Sequence, residues 1–333
     1  FKKTPMIQKT LLFLSTCIVL IGCNIGTSGI WKNDNIEHEK KAQLKALNDK
    51  LFNAITNNDA SNLKAMMSDA AIQSGGDINN FTDQVSAALK TDSYKILDEY
   101  YVQSSTTGIN NTIPGIAGDD SYVINHLVSN KEMFVSLLLP NGQGNEALIL
   151  AIYGKYNNEW KLNILKIGQY TLFNKTATDY YKLAKSCYDK KYLVDAYTNI
   201  NLSERLLRPA NDIFIFQKEG EINVFNDKIK NELNKSFALP LTLDKISSKP
   251  KVFRIYPEMG DEGFCPMVQY LTSLNLKDTI SLKTENEKIK KEVRTLFKGI
   301  DQDKKYIFFQ AFNELPDGQK MVEHYGFIDQ LAK

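Results

Sequence analysis

Residues 132–170 read EMFVSLLLPNGQGNEALILAIYGKYNNEWKLNILKIGQY. The stretch contains three runs that are rich in apolar residues, and turn-forming Asn, Gly and Pro residues separate them. Such runs are typical of strands, and strands joined by short connections pair antiparallel. We therefore predict antiparallel strands at 132–139, 146–156 and 160–170.

The residues before this stretch change from a helical period to a strand period. Apolar residues recur at spacings of three and four between Leu44 and Ile55, which predicts an amphipathic helix. Asp59 is placed to cap a second, short helix. Two further strands are expected at 94–104 and 122–129. Helices followed by antiparallel strands indicate the α+β fold class.

Three short segments carry a family resemblance. Residues 54–59 read AITNND, residues 63–67 read LKAMM, and residues 153–162 read YGKYNNEWKL. With these segments, the stretch 37–173 resembles the nuclear transport factor two-like, or SnoaL-like, superfamily. The resemblance implies a cone-shaped domain, in which a curved antiparallel sheet wraps around helices and leaves a pocket on its concave side.

Each of the two upstream strands carries one ionisable residue within an apolar face. Alternation places the following residues together: Ile96, Asp98, Tyr100 and Val102 in one strand, and Tyr122, Ile124, His126 and Val128 in the other. Some enzymes of the resembled superfamily use Asp, His and Tyr for proton transfer. The resemblance therefore implies Asp98 and His126 as acid and base, with Tyr100 beside them. The alternative is a surface Asp and a hydrogen-bonded core His, because fold alone does not confer chemistry.

A long connection separates these two strands. Residues 106–120 are rich in Gly, Asn and Thr and include Pro114. Such a segment is typical of a binding-site lid or of a mobile loop. We expect a mobile loop.

The helical period returns in residues 174–240. Aromatic, apolar and small residues recur there at Tyr180, Leu183, Ala184, Cys187, Tyr188, Tyr192, Ala196, Ile200, Ser203 and Pro209. The pattern resembles a tetratricopeptide-type helical hairpin with its turn at 189–191, although Cys187 and Ser203 replace the usual Tyr and Ala and Pro209 comes one residue late. Repeat architectures need about three units. We therefore expect a spacer between neighbouring domains, with a peptide-binding groove as the alternative.

Residues 241–333 predict a small C-terminal α+β domain, in which we identify no family. A capping box at Thr284 and Glu287 predicts the start of a helix that ends at Gly299. The strands are expected at 251–256, 267–273, 306–313 and 319–328.

The first residues of the sequence have the features of an export signal. Lys9 precedes an apolar run at 11–21, and Gly22 and Cys23 follow that run. The ending LIGC at 20–23 resembles the lipobox of bacterial lipoproteins. The resemblance implies cleavage between Gly22 and Cys23 and acylation of Cys23.

This interpretation predicts how the chain meets the membrane. Residues 1–22 would be a signal peptide, and 23–36 would be a polar tether. Asn24 after the cysteine implies an outer-membrane address within the bacterial cell envelope. The expected partner is thus a membrane, bound through the lipid on Cys23.

Charge and composition exclude several other classes. Lys and Arg number 41 against 39 Asp and Glu, a net charge of +2, which is too balanced for a nucleic-acid binder. The sequence has no CxxC or HExxH motif, so we expect no metal or cofactor. The acidic run at 258–263 predicts a solvated turn rather than a calcium site. Cys187 and Cys265 are expected to be separate core residues, with a disulfide as the alternative.

Three functions remain open at this point. The first is a lipid-anchored binding or scaffolding protein that holds a small molecule, a peptide or a protein partner at the membrane surface. The second is a cone-fold enzyme of isomerase or lyase type that uses Asp98 and His126. The third is an assembly factor of the cell envelope. An open cavity favours the first function, and contact between Asp98 and His126 favours the second.

Overall fold

The structure, a computed structural model, describes residues 28–142, 144–260 and 263–331. Its fold class is α+β, which confirms that prediction. The helices are α1 (His38–Thr56), α2 (Ala60–Met66), α3 (Asp69–Ser74), α4 (Ile78–Ala88), α5 (Ala177–Asp189), α6 (Leu193–Arg205), α7 (Glu219–Ser236) and α8 (Thr279–Leu296). The strands are β1 (Gly29–Lys32), β2 (Tyr94–Gln103), β3 (Asn110–Gly115), β4 (Tyr122–Leu127), β5 (Glu132–Pro140), β6 (Ala147–Tyr156), β7 (Glu159–Gln169), β8 (Phe214–Phe216), β9 (Leu241–Thr242), β10 (Lys251–Gly260), β11 (Gly263–Leu271), β12 (Tyr306–Phe312) and β13 (His324–Gln330).

The main sheet is antiparallel and has the order β1-β2-β5-β6-β7. Strands β2, β5, β6 and β7 lie within one or two residues of their predicted bounds. Asn157 in the turn between β6 and β7 has a φ of 54°, a left-handed conformation that asparagine tolerates better than most residues. The alternating pattern and the turn chemistry therefore agree on the same register.

One face of the main sheet packs against α1, α2 and α4. Asp59, Ser68 and Asp77 cap α2, α3 and α4, because each side chain accepts a backbone N–H of the first turn. Large side chains fill the space between helices and sheet. This helix-side core includes Leu44, Leu51, Phe52, Ile55, Leu63, Tyr101, Phe134, Leu138, Ile149, Tyr153 and Leu162.

The opposite face of the main sheet is also buried. A small antiparallel sheet of order β3-β4-β8 and the helices α5, α6 and α7 cover it. We call the resulting cluster the shared core, because it crosses the domain boundary predicted at residue 173. Its members include Val102, Ile113, Tyr122, Ile124, Val135, Leu137, Leu150, Ile152, Tyr181, Ala184, Ile200, Phe214, Phe216 and Ile222.

The segment 106–120, expected as a mobile loop, contains β3. This strand pairs with β4, and β4 pairs in turn with β8 instead of joining the main sheet. Ile113 of β3 is buried, whereas the polar side chains at 110–112 are exposed. The prediction was wrong because only one large apolar residue marks the buried face of this strand.

A β-bulge changes the predicted face of β2. The register with β5 shifts between Ile96 and Asp98. As a result, Ile96 is 42% exposed, while Asp98, Tyr100 and Val102 are buried. The predicted sharing of one face by these four residues is therefore wrong for Ile96.

The tether predicted at 23–36 is corrected at its second half. Residues 29–32 form β1, which pairs with the end of β2 at the edge of the main sheet. Trp31 packs on the helix-side core, and Ile36 belongs to it. Residues 23–27 of this prediction, with Cys23, Gly22 and the signal peptide, lie outside the described residues.

Helices α5 and α6 pack against each other, with the predicted turn between them. The Thr176 hydroxyl and the Asp179 carboxylate form a capping box at the start of α5. The pair lies directly on the main sheet: a Cβ added at Gly168 of β7 would come within 2.3 Å of the carbonyl oxygen of Pro209. Only glycine allows this approach.

The C-terminal sheet has the order β13-β12-β11-β10-β9, and only β11 and β12 pair in parallel. Helix α8 connects these two strands and packs its apolar face on the sheet. The core between them also contains Val194 of α6, with Leu233 and Phe237 of α7 packed against it. Lys304 adds a buried ion pair to Asp195 of α6, at 2.7 Å.

The start of α8 differs from the prediction. The helix begins at Thr279, and the Asp278 carboxylate caps it by accepting the N–H of Ser281. Glu285, which follows Thr284 in the predicted capping box, is instead buried within the helix and accepts a hydrogen bond from Thr272. The local motif was misleading because a better N-cap lies one and a half turns earlier.

The remaining sequence predictions concern isolated side chains. Cys187 and Cys265 both have free thiols, and burial raises the pKa of Cys187. Glu258 lies in β10, while residues 261 and 262 of the acidic run are outside the described part of the chain.

A cluster of charged side chains around Glu132 connects α1 to the main sheet. The Glu132 carboxylate accepts hydrogen bonds from Lys155 at 2.8 Å, Lys40 at 3.0 Å and Tyr101 at 2.8 Å. Burial alone would raise the pKa of Glu132, but these three donors outweigh it and lower the pKa from 4.5 to about 2. The ionised carboxylate is thus favoured in the folded state.

We expect Glu132→Gln to lower the free energy of unfolding at pH 7 by about 2 kcal/mol. Because the folded-state pKa is depressed, the stabilisation is complete above the unfolded pKa near 4.5 and is lost as the pH falls towards 2. Urea unfolding at pH 7, 5 and 3 should therefore show a shrinking difference. Glu159→Gln is the matched control, since Glu159 is exposed and its one ion pair among the described residues is with Lys161. Equal effects of both variants would contradict this account.

Candidate functional site

The structure brings two of the three candidate catalytic residues together. Asp98 is buried, and its carboxylate accepts hydrogen bonds from Tyr100 at 3.3 Å and from Tyr122 at a shorter distance. Asn33 donates to the same carboxylate at 2.8 Å, and the Lys32 ammonium lies 2.9 Å away. Residues near the N-terminal edge of the main sheet and from the small sheet thus converge on Asp98.

The two tyrosines hold their protons. Burial raises the pKa of Tyr100 and of Tyr122 above the usual value of 10, and the negative charge of Asp98 adds to the effect. Their hydroxyls also lie 2.9 Å apart. Both phenols can therefore donate to Asp98 across the whole physiological pH range, which is what a structural network requires.

His126 does not join this network. It is buried on the same face of β4 as Tyr122, but neither ring nitrogen has a hydrogen-bond partner of ordinary geometry among the described residues. Burial lowers the pKa of His126 below 6.5, so the imidazole is neutral at pH 7. No hydrogen bond or ion pair between His126 and Asp98 occurs in the described ranges.

Aromatic side chains fill the space around Asp98 and Tyr100. Tyr122 stacks on Phe214 with ring centroids 4.5 Å apart, and Phe214 packs edge-on against Phe216 at 5.1 Å. Phe214 and Phe216 come from β8, far along the chain. Asp98 thus has four partner groups, from Tyr100, Tyr122, Asn33 and Lys32, within a largely aromatic surrounding.

An open groove lies between α1 and the start of β2, with a volume of about 790 Å³. Four of its charged side chains form ion pairs: Lys45 lies 2.5 Å from Asp49, and Lys41 lies 3.7 Å from Glu99. Burial raises the pKa of Glu99, opposed by Lys41. The Lys41–Glu99 pair thus joins α1 to β2, whereas the exposed Asp92 of the same lining has no ion pair among the described residues.

A second groove, of about 660 Å³, lies between α6, α7 and β10. We call it the α6–α7 groove. Its volume falls in the range of small-molecule sites. It is lined by Val194, Tyr197, Thr198, Asn201, Arg205, Lys230, Leu233, Asn234, Phe237, Ala238, Leu239, Ile255, Tyr256, Pro257 and Phe297.

Helical spacing explains how these residues meet. Thr198, Asn201 and Arg205 follow one another at three and four residues along α6 and therefore share one face. The same spacing relates Lys230 and Leu233 to later lining residues of α7. The groove forms where these two helix faces meet the C-terminal sheet.

The two helices run antiparallel along the groove. The Asn226 amide donates to the Glu204 carboxylate at 2.8 Å, so the middle of α7 lies beside the end of α6. At the opposite end, Val194 and Phe237 share the C-terminal core. The groove thus extends from Arg205 at the end of α6 towards Val194 at its start.

One end of the groove is cationic. Arg205 and Lys230 lie there, and neither makes an ion pair within the ranges that the structure describes. No described carboxylate lines the groove, and the nearby Glu204 accepts a hydrogen bond from Asn226. The other end is apolar, with the rings of Phe237 and Phe297 4.8 Å apart. This combination can hold a ligand that has both an apolar part and a negative charge.

The groove residues were not predicted from the sequence. The sequence did contain part of the pattern, since the lining residues of α6 from Tyr197 to Arg205 have the spacing of one helix face. The contribution of Ile255 and Pro257 from β10 could not be foreseen, because it depends on how the C-terminal sheet packs against α7.

Comparison of the chain with protein-family models, with curated proteins and with solved structures finds no match. In the described part of the chain, no helix is both long and apolar enough to cross a membrane. The same residues contain no group of three His, Cys, Asp or Glu side chains that could hold a metal ion.

Proposed function

We propose that this chain is a binding protein of the bacterial cell envelope, which holds a small apolar molecule in the α6–α7 groove. The observation that supports the proposal is the groove itself, where exposed and half-buried apolar side chains such as Leu233, Leu239 and Ile255 meet unpaired cations. Monomeric proteins expose such apolar concavities chiefly where something binds.

The proposal includes the finer fold and the membrane anchor. We propose a cone-shaped arrangement for the stretch up to residue 173 and a tetratricopeptide-like pairing for α5 and α6; the order of helices and antiparallel strands supports both. We also propose that acylation of Cys23 anchors the chain to the outer membrane. The lipobox-like segment at 20–23 supports the anchor.

The alternatives have less support. The enzyme hypothesis requires Asp98 and His126 to act on one substrate, whereas the four partners of Asp98 do not include His126. An assembly factor of the envelope would use a surface for protein contact. Such a surface would account less directly for a groove that is lined by residues of α6, α7 and β10.

Photolabelling tests the groove. A neutral alkyl probe that carries a diazirine should label peptides from α6, α7 and β10 in the full chain. Thr198→Trp should fill the groove and reduce this labelling about tenfold, since the ring displaces the bound probe. Thr295→Trp is the control, because Thr295 is exposed on α8 away from the groove. Absence of label from the groove peptides of the unmodified chain would refute the proposal.

The anchor has a separate test. Replacing Cys23 by serine should abolish labelling of the chain by a clickable fatty acid in growing cells, because the serine cannot form the thioether. Labelling that persists in this variant would show that the anchor assignment is wrong.

A further inference from the structure

The α6–α7 groove has a direction that its ligand must match. Arg205 and Lys230 lie at one end, and Phe237 and Phe297 lie at the other. Val194 and Arg205 are separated by about 16 Å along the axis of α6, given a rise of about 1.5 Å per residue. An elongated ligand therefore fits this groove better than a compact one of the same volume.

The positive charges of Arg205 and Lys230 favour a ligand with an anionic group at one end. Arg205 and Lys230 make no ion pair within the described residues, and both are exposed. An anion that binds there restores the partner that each cation lacks, and a guanidinium can hold a carboxylate with two parallel hydrogen bonds. Asn234, which also lines the groove, offers a further donor, whereas the Asn201 amide already donates to the Tyr197 carbonyl at 2.7 Å.

The remainder of the lining carries no charged side chain, and its polar groups belong to Tyr197, Thr198, Asn234 and Tyr256. Leu233, Phe237 and Ile255 line its middle and its far end, and Phe297 forms the floor there. A polar group placed among them would lose its hydrogen bonds to water without gaining others. The far end therefore favours an alkyl chain.

We propose that the α6–α7 groove binds a long-chain fatty carboxylate, with its carboxylate at the Arg205 and Lys230 end and its alkyl chain extending towards Phe237. This inference rests on the proposed function of the same groove. It adds the chemical class of the ligand and the orientation in which it lies.

The test compares two photoreactive probes on the full chain: a diazirine-bearing fatty acid and its methyl ester, which differ only in charge. The acid should label groove peptides about tenfold more strongly at equal concentration, because one charge-assisted hydrogen bond corresponds to about that ratio. Arg205→Gln with Lys230→Gln should remove this preference and leave labelling by the ester unchanged. Lys235→Gln, on the same helix but outside the groove lining, should have no effect.

Each other outcome overturns a defined part of the inference. Equal labelling by acid and ester, unaffected by the double variant, would refute the carboxylate orientation and leave the proposed function intact. Absence of groove labelling by both probes would refute both. Displacement of the acid probe by an oligoglutamate peptide at similar concentration would show that the occupant is an acidic peptide. A thermal melt of each variant confirms that the chain is folded.

Discussion

Replacing Asp98 by alanine should lower the free energy of unfolding by about 4 kcal/mol, the largest single-residue effect that we expect. The substitution leaves the buried hydroxyls of Tyr100 and Tyr122 without their acceptor. It also removes the carboxylate with which Lys32 and Asn33 interact, and these contacts hold β1 and the following turn to β2. Equilibrium urea unfolding followed by circular dichroism measures the loss.

Asp98→Asn provides the matched control. The amide oxygen still accepts from one or two of the donors, while the charge that pairs with Lys32 is gone, so we expect about half of the loss. Tyr122→Phe removes one donor and should cost about 1 to 2 kcal/mol. If Asp98→Ala changed the free energy of unfolding by less than 1 kcal/mol, the network would not have the structural role assigned to it.

A fragment that ends at residue 173 should not fold into a soluble monomer, although it contains every strand of the main sheet. It lacks α5, α6, α7 and β8, and so it would expose the part of one apolar sheet face that these elements cover, although β3 and β4 remain. Phe214 and Phe216, which pack on Tyr122 and Tyr170, would be missing. Size-exclusion chromatography should show aggregates, and a dye that binds exposed apolar surface should fluoresce strongly.

A fragment of residues 28–240 is the matched control. It keeps the helix-side core and the shared core and loses only the C-terminal sheet with α8. We expect it to remain monomeric and cooperatively folded. A soluble, cooperatively melting fragment 28–173 would show that the main sheet is stable without the helices α5 to α7, against the interpretation of the shared core.

The sequence predicted four of the five strands of the main sheet well, because β2, β5, β6 and β7 are runs of nine or more residues that are rich in apolar side chains. It did not predict β1, which has four residues. It predicted β3 poorly, since only Ile113 marks the buried side, and it gave no signal for β8, which has three residues. The bulge at Ile96 was also invisible, because one extra residue leaves the pattern on either side unchanged.

The candidate sites depended on contacts between distant parts of the chain. Asp98 was found from its place in an apolar strand, but three of its partners, Asn33, Lys32 and Tyr122, come from elements whose pairing the sequence did not reveal. The α6–α7 groove requires α6, α7 and β10 to pack together. Local patterns predict which face of a helix is apolar, and they do not predict which neighbour covers it.

The edge strand β1 has a mechanical consequence for the proposed anchor. Residues 24–28 reach at most about 18 Å, so an acylated Cys23 would keep the folded body almost against the lipid headgroups. A force that pulls on such an anchor would act directly on β1. Because β1 lies antiparallel along the end of β2 and Lys32 is clamped by Asp98, a pull along the strand would load its hydrogen bonds in shear, all at once. The folded body should therefore resist the removal of β1 more strongly than if the hydrogen bonds between β1 and β2 broke one after another.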